Sequence, residues 1–116
     1  MCDANDLNCC QLCAYKLCAK TGADISKRDL ILLSGYGDGL GVGGTCGALL
    51  GAVAGACITA KGIGAEKIRL SIIMDFMEHF STVNCSKLEV YYENGCQEVI
   101  SYAIDSALKA IKNSQD

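Results

Sequence analysis

Apolar residues recur along this chain in steps of three and four, the spacing of helices that turn one face to a core. The clearest run is 65–80, AEKIRLSIIMDFMEHF. There Ile68, Ile72, Phe76 and Phe80 form an i+4 series with Ile73 and Met77 beside it. The last run, 96–112, carries Val99, Tyr102, Ala103, Ala107 and Ile111 on one side. Near the start, NCCQLCAYKLCAK (8–20) has Cys9, Leu12, Cys13 and Leu17 at helical spacing behind Asn8, a good N-cap, and Thr21-Gly22 stops it. Ser26 caps a second helix reaching to 37, with Asp29 at the capping-box position and Leu30, Ile31 and Leu33 as its apolar side. Asn84 caps a short helix over 85–92, and Glu93-Asn94-Gly95 turns the chain.

The middle of the chain is different. A glycine-rich loop, SGYGDGLGVGGT (34–45), leads into CGALLGAVAGACITAK (46–61), a helix of small residues with Thr45 as its expected cap. Gly47, Gly51 and Gly55 fall at i, i+4 and i+8 and share one face. Each costs about 1 kcal/mol of helix propensity relative to alanine. The gain is that a neighbouring backbone can come close, either within the chain or across a homodimer. The pattern predicts an all-α fold: a compact bundle of five main helices plus one short helix, with the glycine-rich loop before a small-residue central helix. It reads as one domain over 1–116, with 1–7 frayed.

Composition narrows the function. Half the residues are apolar and none is proline, and 116 residues can bury roughly two-thirds of the unfolded surface without help from disulfides. The net charge is −3, and the longest basic run is Lys27-Arg28, so there is no footprint for nucleic acid. Residues 39–60 carry no charge over a length that could span a bilayer, but glycine and alanine keep them only mildly hydrophobic. A buried central helix is the better reading. The start, MCDANDLNCC, lacks the features of a signal peptide, which points to the reducing cytoplasm.

Gly39, Gly41 and Gly44 fit G-x-G-x-x-G, and Gly44-Thr45 resembles the end of a phosphate loop. The lysine of such a loop is missing, the segment before it starts as a helix, and the acid downstream, Glu66, opens another helix. Nucleotide binding is set aside.

Nine cysteines in a reducing compartment point to metal or redox chemistry rather than to a disulfide framework. Four of them share one context. Cys9 follows Asn8, Cys46 follows Thr45, Cys85 follows Asn84 and Cys96 follows Asn94-Gly95, each at or near a predicted helix start. Unpaired N–H groups and the positive end of the helix dipole favour a thiolate there. That is the form that binds metal or attacks a disulfide.

These residues resemble the family of redox-active proteins named for its signature, C_GCAxxG_C_C. The central motif stands here as Cys46-Gly47-Ala48-Leu49-Leu50-Gly51. Cys9 matches the first motif cysteine, Cys85 the third and Cys96 the fourth, and the likeness covers 8–112. Two features depart from the pattern: Thr45 stands where the family has glycine, and the Cys85–Cys96 spacer is short and carries Tyr91-Tyr92. The resemblance implies an all-helical fold and a redox or metal-binding role for the four cysteines. A similar domain in some multihaem electron-transfer proteins leans towards an iron–sulfur centre that serves electron transfer or redox sensing with an unspecified partner protein. A metal-free thiol–disulfide oxidoreductase with Cys46 as attacking thiolate is the next reading. A closed zinc site ranks third among the readings of the four cysteines, since the ligands lack the paired spacing of zinc ribbons. A helical binding module with inert cysteines is the reading from another class.

Other candidates are weaker. Cys10-Gln11-Leu12-Cys13 is a CxxC without the βαβ surroundings of a redox motif, so it reads as chance in a cysteine-rich helix, or as support for Cys9 through Cys13 at i, i+4. Cys18 and Cys57 read as core, and Cys2 belongs to the frayed start. His79 reads as a surface residue near a helix C-terminus, Asp38 as a turn former, and Tyr36, Tyr91 and Tyr92 as core or pocket tyrosines. No Ser-His-Asp or paired-carboxylate set stands out.

Overall fold

A computed structural model describes residues 7–37, 40, 44–84, 88 and 97–114. Among the described residues five helices follow one another: α1 (Cys9–Thr21), α2 (Lys27–Leu32), α3 (Gly47–Thr59), α4 (Ala65–Phe80) and α5 (Gln97–Ser114). A single 3₁₀ turn, Leu33–Gly35, continues α2. Among the described residues there is no strand, and the all-α expectation holds. None of the described helices is long and apolar enough to cross a membrane. The short helix expected over 85–92 lies outside the described residues, apart from the buried Leu88.

α3 is the central element. It packs on α1, α4 and α5, and Ala48, Leu49, Ala52 and Ala56 are buried among them. Its glycine face meets α1. A methyl group on Gly51 would strike the Cys10 carbonyl and come within 2.9 Å of Cys13 Cβ. One on Gly55 would lie 3.0 Å from Leu17 Cδ2 and 3.3 Å from Ala14 Cα. At the far end Thr21 and Thr59 join hydroxyls at 3.0 Å. Cys9, Cys13, Leu17 and Thr21 thus meet Gly47, Gly51, Gly55 and Thr59 in order, so the two helices run parallel. The glycine face packs within the chain.

The remaining faces follow the apolar pattern. Ile68, Ile72, Phe76 and Phe80 of α4 are buried, as are Val99, Ala103, Ala107 and Ile111 of α5. Gly22 closes α1 in the left-handed conformation at φ 79°, which places its N–H on the Cys18 carbonyl.

α2 departs from expectation. Its start is as read: Ser26 and Asp29 exchange side chain–backbone bonds of 3.0 and 3.1 Å. It then ends at Leu32 instead of reaching 37, and none of its residues is buried. Ile31 and Leu32 are 62% and 69% exposed, so the expected apolar side does not enter the core. The helix is held instead through its backbone, since Gln11 Nε2 donates to the Leu30 carbonyl at 2.7 Å.

The α1–α3 contact leads to a stability prediction. Gly51→Ala gains helix propensity but drives a methyl into the α1 backbone, and overpacking of this kind costs about 1–3 kcal/mol net. Urea unfolding is expected to show that loss for Gly51→Ala and almost none for Gly35→Ala, where nothing lies within 4 Å. Equal midpoints would contradict the close approach.

Candidate functional site

Because α1 and α3 run parallel, their N-termini lie side by side. Asn8 caps α1. Its Oδ1 accepts from the Gln11 N–H at 2.9 Å, and Gln11 Oε1 accepts from the Asn8 N–H at 3.0 Å. The spare amide group of Asn8 donates to the Ser34 carbonyl at 2.9 Å. The chain after α2 is therefore drawn across both helix starts. Gly37 lies where any side chain would collide with Asn8, and Gly47 packs against the Gly37 Cα and the Tyr36 carbonyl.

Cys9 and Cys46 occupy this junction. Cys9 is the first residue of α1, and its Sγ lies against Gly47, where a methyl group would strike it. Cys46 is the residue before Gly47 and serves as N-cap of α3, with no side-chain cap bond. Thr45, the expected cap, is instead paired in an antiparallel bridge with Asn84. The Cys46 N–H donates to the Val83 carbonyl at 2.7 Å. The stretch ending at Asn84 is thereby pinned beside the stretch entering α3. Both sulfur-bearing residues are buried, each about 2% exposed.

Two more thiols belong to the group. Cys10 and Cys13 are wholly buried on the α1 face turned to α3. Burial pushes the Cys10 thiol up to about 12, and charge on Cys9 or Cys46 would push it the same way. Burial likewise raises Cys13 well above the ordinary thiol value, reinforced by Cys10, Cys46 and Cys9. Cys10 also adjoins an apolar pocket of about 240 Å³ lined by Tyr36, Leu49, Leu50, Val53 and Ile73. The CxxC is thus part of the same thiol group, as neutral sulfur at physiological pH. The i, i+4 spacing of Cys9 and Cys13 was a legible sign of this. The inward direction of Cys10 was not, because it depends on how closely α3 approaches.

The other candidates separate. Cys18 is buried further along α1, its Sγ 3.9 Å from the Gly55 carbonyl, and Cys57 is half-buried on α3, both with thiols raised chiefly by burial. His79 is exposed and stacks on Tyr102 with ring centres 3.9 Å apart. Tyr36 is 44% exposed at the cavity rim. Cys2, Asp38, Cys85, Tyr91, Tyr92 and Cys96 lie outside the described residues. Among the described residues no group of three or more His, Cys, Asp or Glu is arranged to hold a metal ion.

The model of one protein family, described as "Putative redox-active protein (C_GCAxxG_C_C)", matches residues 7–110. No curated protein and no solved structure matches the chain.

The burial of Cys10 has a pH consequence. Its pKa is higher in the fold than in the unfolded chain, where it is near the ordinary 9.0, so the neutral thiol stabilises the fold in full below that value. The contribution falls as pH rises from 9 towards about 12. Urea midpoints are expected to drop over that window, and to drop less in Cys10→Ala. Equal pH slopes for the two proteins would contradict a buried, neutral Cys10.

Proposed function

The chain belongs to the C_GCAxxG_C_C family of redox-active proteins, and on that premise we propose that Cys9, Cys46, Cys85 and Cys96 form one site holding an iron–sulfur cluster. The reading is of a cytoplasmic protein for electron transfer or redox sensing. The observation that carries it is the junction of α1 and α3. Cys9 Sγ lies against Gly47 beside Cys46, and the residue before Cys85 is bridged to the residue before Cys46. Neighbouring Cα atoms are about 3.8 Å apart, so the bridge limits how far Cys85 can be from Cys46.

The donor chemistry fits. Iron–sulfur clusters are held by cysteine thiolates. Two adjoining helix N-termini bring their positive ends to one place, which favours thiolate at Cys9 and Cys46. On this reading Cys85 and Cys96, matched to the family signature, supply the remaining two ligands. When bound, the cluster supplies one-electron chemistry. The protein's own part is to gather thiolates, to keep Cys10 and Cys13 neutral beside them, and to bury the sulfur away from water.

A second reading has its own support in the closeness of Cys10 and Cys13 to Cys9 and Cys46. Two of these thiols could reduce a partner's disulfide, ending as a disulfide themselves and leaving the partner with two thiols.

Protein purified without oxygen is expected to be brown, with iron and acid-labile sulfide. Cys9→Ser, Cys46→Ser and Cys85→Ser are each expected to lose both, while Cys57→Ser keeps them and far-ultraviolet circular dichroism stays helical. A colourless protein whose thiols oxidise reversibly would transfer the function to the second reading. Metal-free protein with inert thiols would overturn both.

A further inference from the structure

A second candidate site lies in a groove between α4 and α5. Its volume is about 540 Å³, within the range of small-molecule sites. Its polar groups carry both signs. Asp75 reaches it from α4, and Asp105, Lys109 and Lys112 reach it from α5. Tyr102 and Leu108 supply apolar surface. Tyr102 is fixed in place, because its hydroxyl donates to Asp75 Oδ1 at 3.0 Å and His79 stacks on its ring.

One group in the groove wants a partner. Ser106 lines it and is 4% exposed, and its Oγ is buried with no hydrogen-bond partner among the described residues. A buried hydroxyl without a partner costs about 1–3 kcal/mol. Mid-helix serines ordinarily bond back to a carbonyl one turn earlier, and this one does not.

The charges have an order along α5. Asp105 and Lys109 are one turn apart, about 6 Å along the axis, and Lys112 is about 10 Å from Asp105. A simple intrahelical Asp105–Lys109 pair is worth only about 0.3–0.5 kcal/mol and yields readily to a ligand. It would also leave Asp75, Lys112 and Ser106 unused. We propose that this groove binds a short peptide-like zwitterion. Its ammonium lies at Asp75 and Asp105, its carboxylate at Lys109 and Lys112, and its middle meets Ser106 and the Tyr102 ring. A free α-amino acid is too short to span the two ends, and a plain anion would face two carboxylates.

The test is a titration of the ¹⁵N-labelled full chain with glycyl-leucine, followed by amide shifts. Saturable shifts are expected around Tyr102, Ser106 and Lys109. N-acetylglycyl-leucine and glycyl-leucinamide, each lacking one charge, are expected to bind roughly tenfold more weakly, as is the dipeptide to a Lys109→Gln/Lys112→Gln variant. Both lysines are exposed, so the variant keeps its fold, which its unchanged amide spectrum elsewhere would verify. The proposal fails if no saturable shift appears, if the blocked peptides bind equally, or if inorganic phosphate gives the same shifts.

Discussion

The fold depends on one contact, the approach of the α1 backbone to the glycine face of α3. Gly51 and Gly55 have no side chain where one would meet the Cys10 carbonyl and Ala14. Each glycine gives up about 1 kcal/mol of helix propensity, and the close packing of two helices offsets it. The contact also sets direction. Parallel helices need a long return between them, and Ser34, Tyr36 and Gly37 lie across the starts of both helices on the way. Asn8 and Gln11 tie that return down by donating to the Ser34 and Leu30 carbonyls.

Direction also decides where the first two candidate thiols lie. Antiparallel helices would separate the N-termini by the length of the bundle. Parallel ones set Cys9 and Cys46 at the same end, under two aligned dipoles. Beside them, burial raises the Cys10 and Cys13 thiols. The group therefore holds Cys9 and Cys46 at the two helix starts, with Cys10 and Cys13 buried beside them and their thiols raised.

Much of this was legible in the sequence. The i+4 series of α4 and the terminal helix predicted their buried faces, because an amphipathic helix needs only its own residues to declare a core side. Gly47, Gly51 and Gly55 announced a close neighbour but not its identity, since small residues serve intrachain and interchain packing alike. Thr45 was misplaced for a tertiary reason: it is drawn into a bridge with Asn84, and the cap passes to Cys46. The apolar side of α2 misled because Leu30–Leu33 has the composition of a core helix, while the backbone carbonyl of Leu30, not its side chain, makes the anchoring bond. The inward place of Cys10 follows from the α3 approach and was invisible to spacing alone.

α1 and α3 bring Cys9 and Cys46 to one place. A variant that keeps only these two cysteines, with serine at the others, can be treated with dibromobimane, which becomes fluorescent when it bridges two nearby thiols. An intramolecular cross-link is expected in the folded protein and is expected to disappear in urea. Separate labelling of each thiol without a bridge, in a protein that retains its helices, would contradict it.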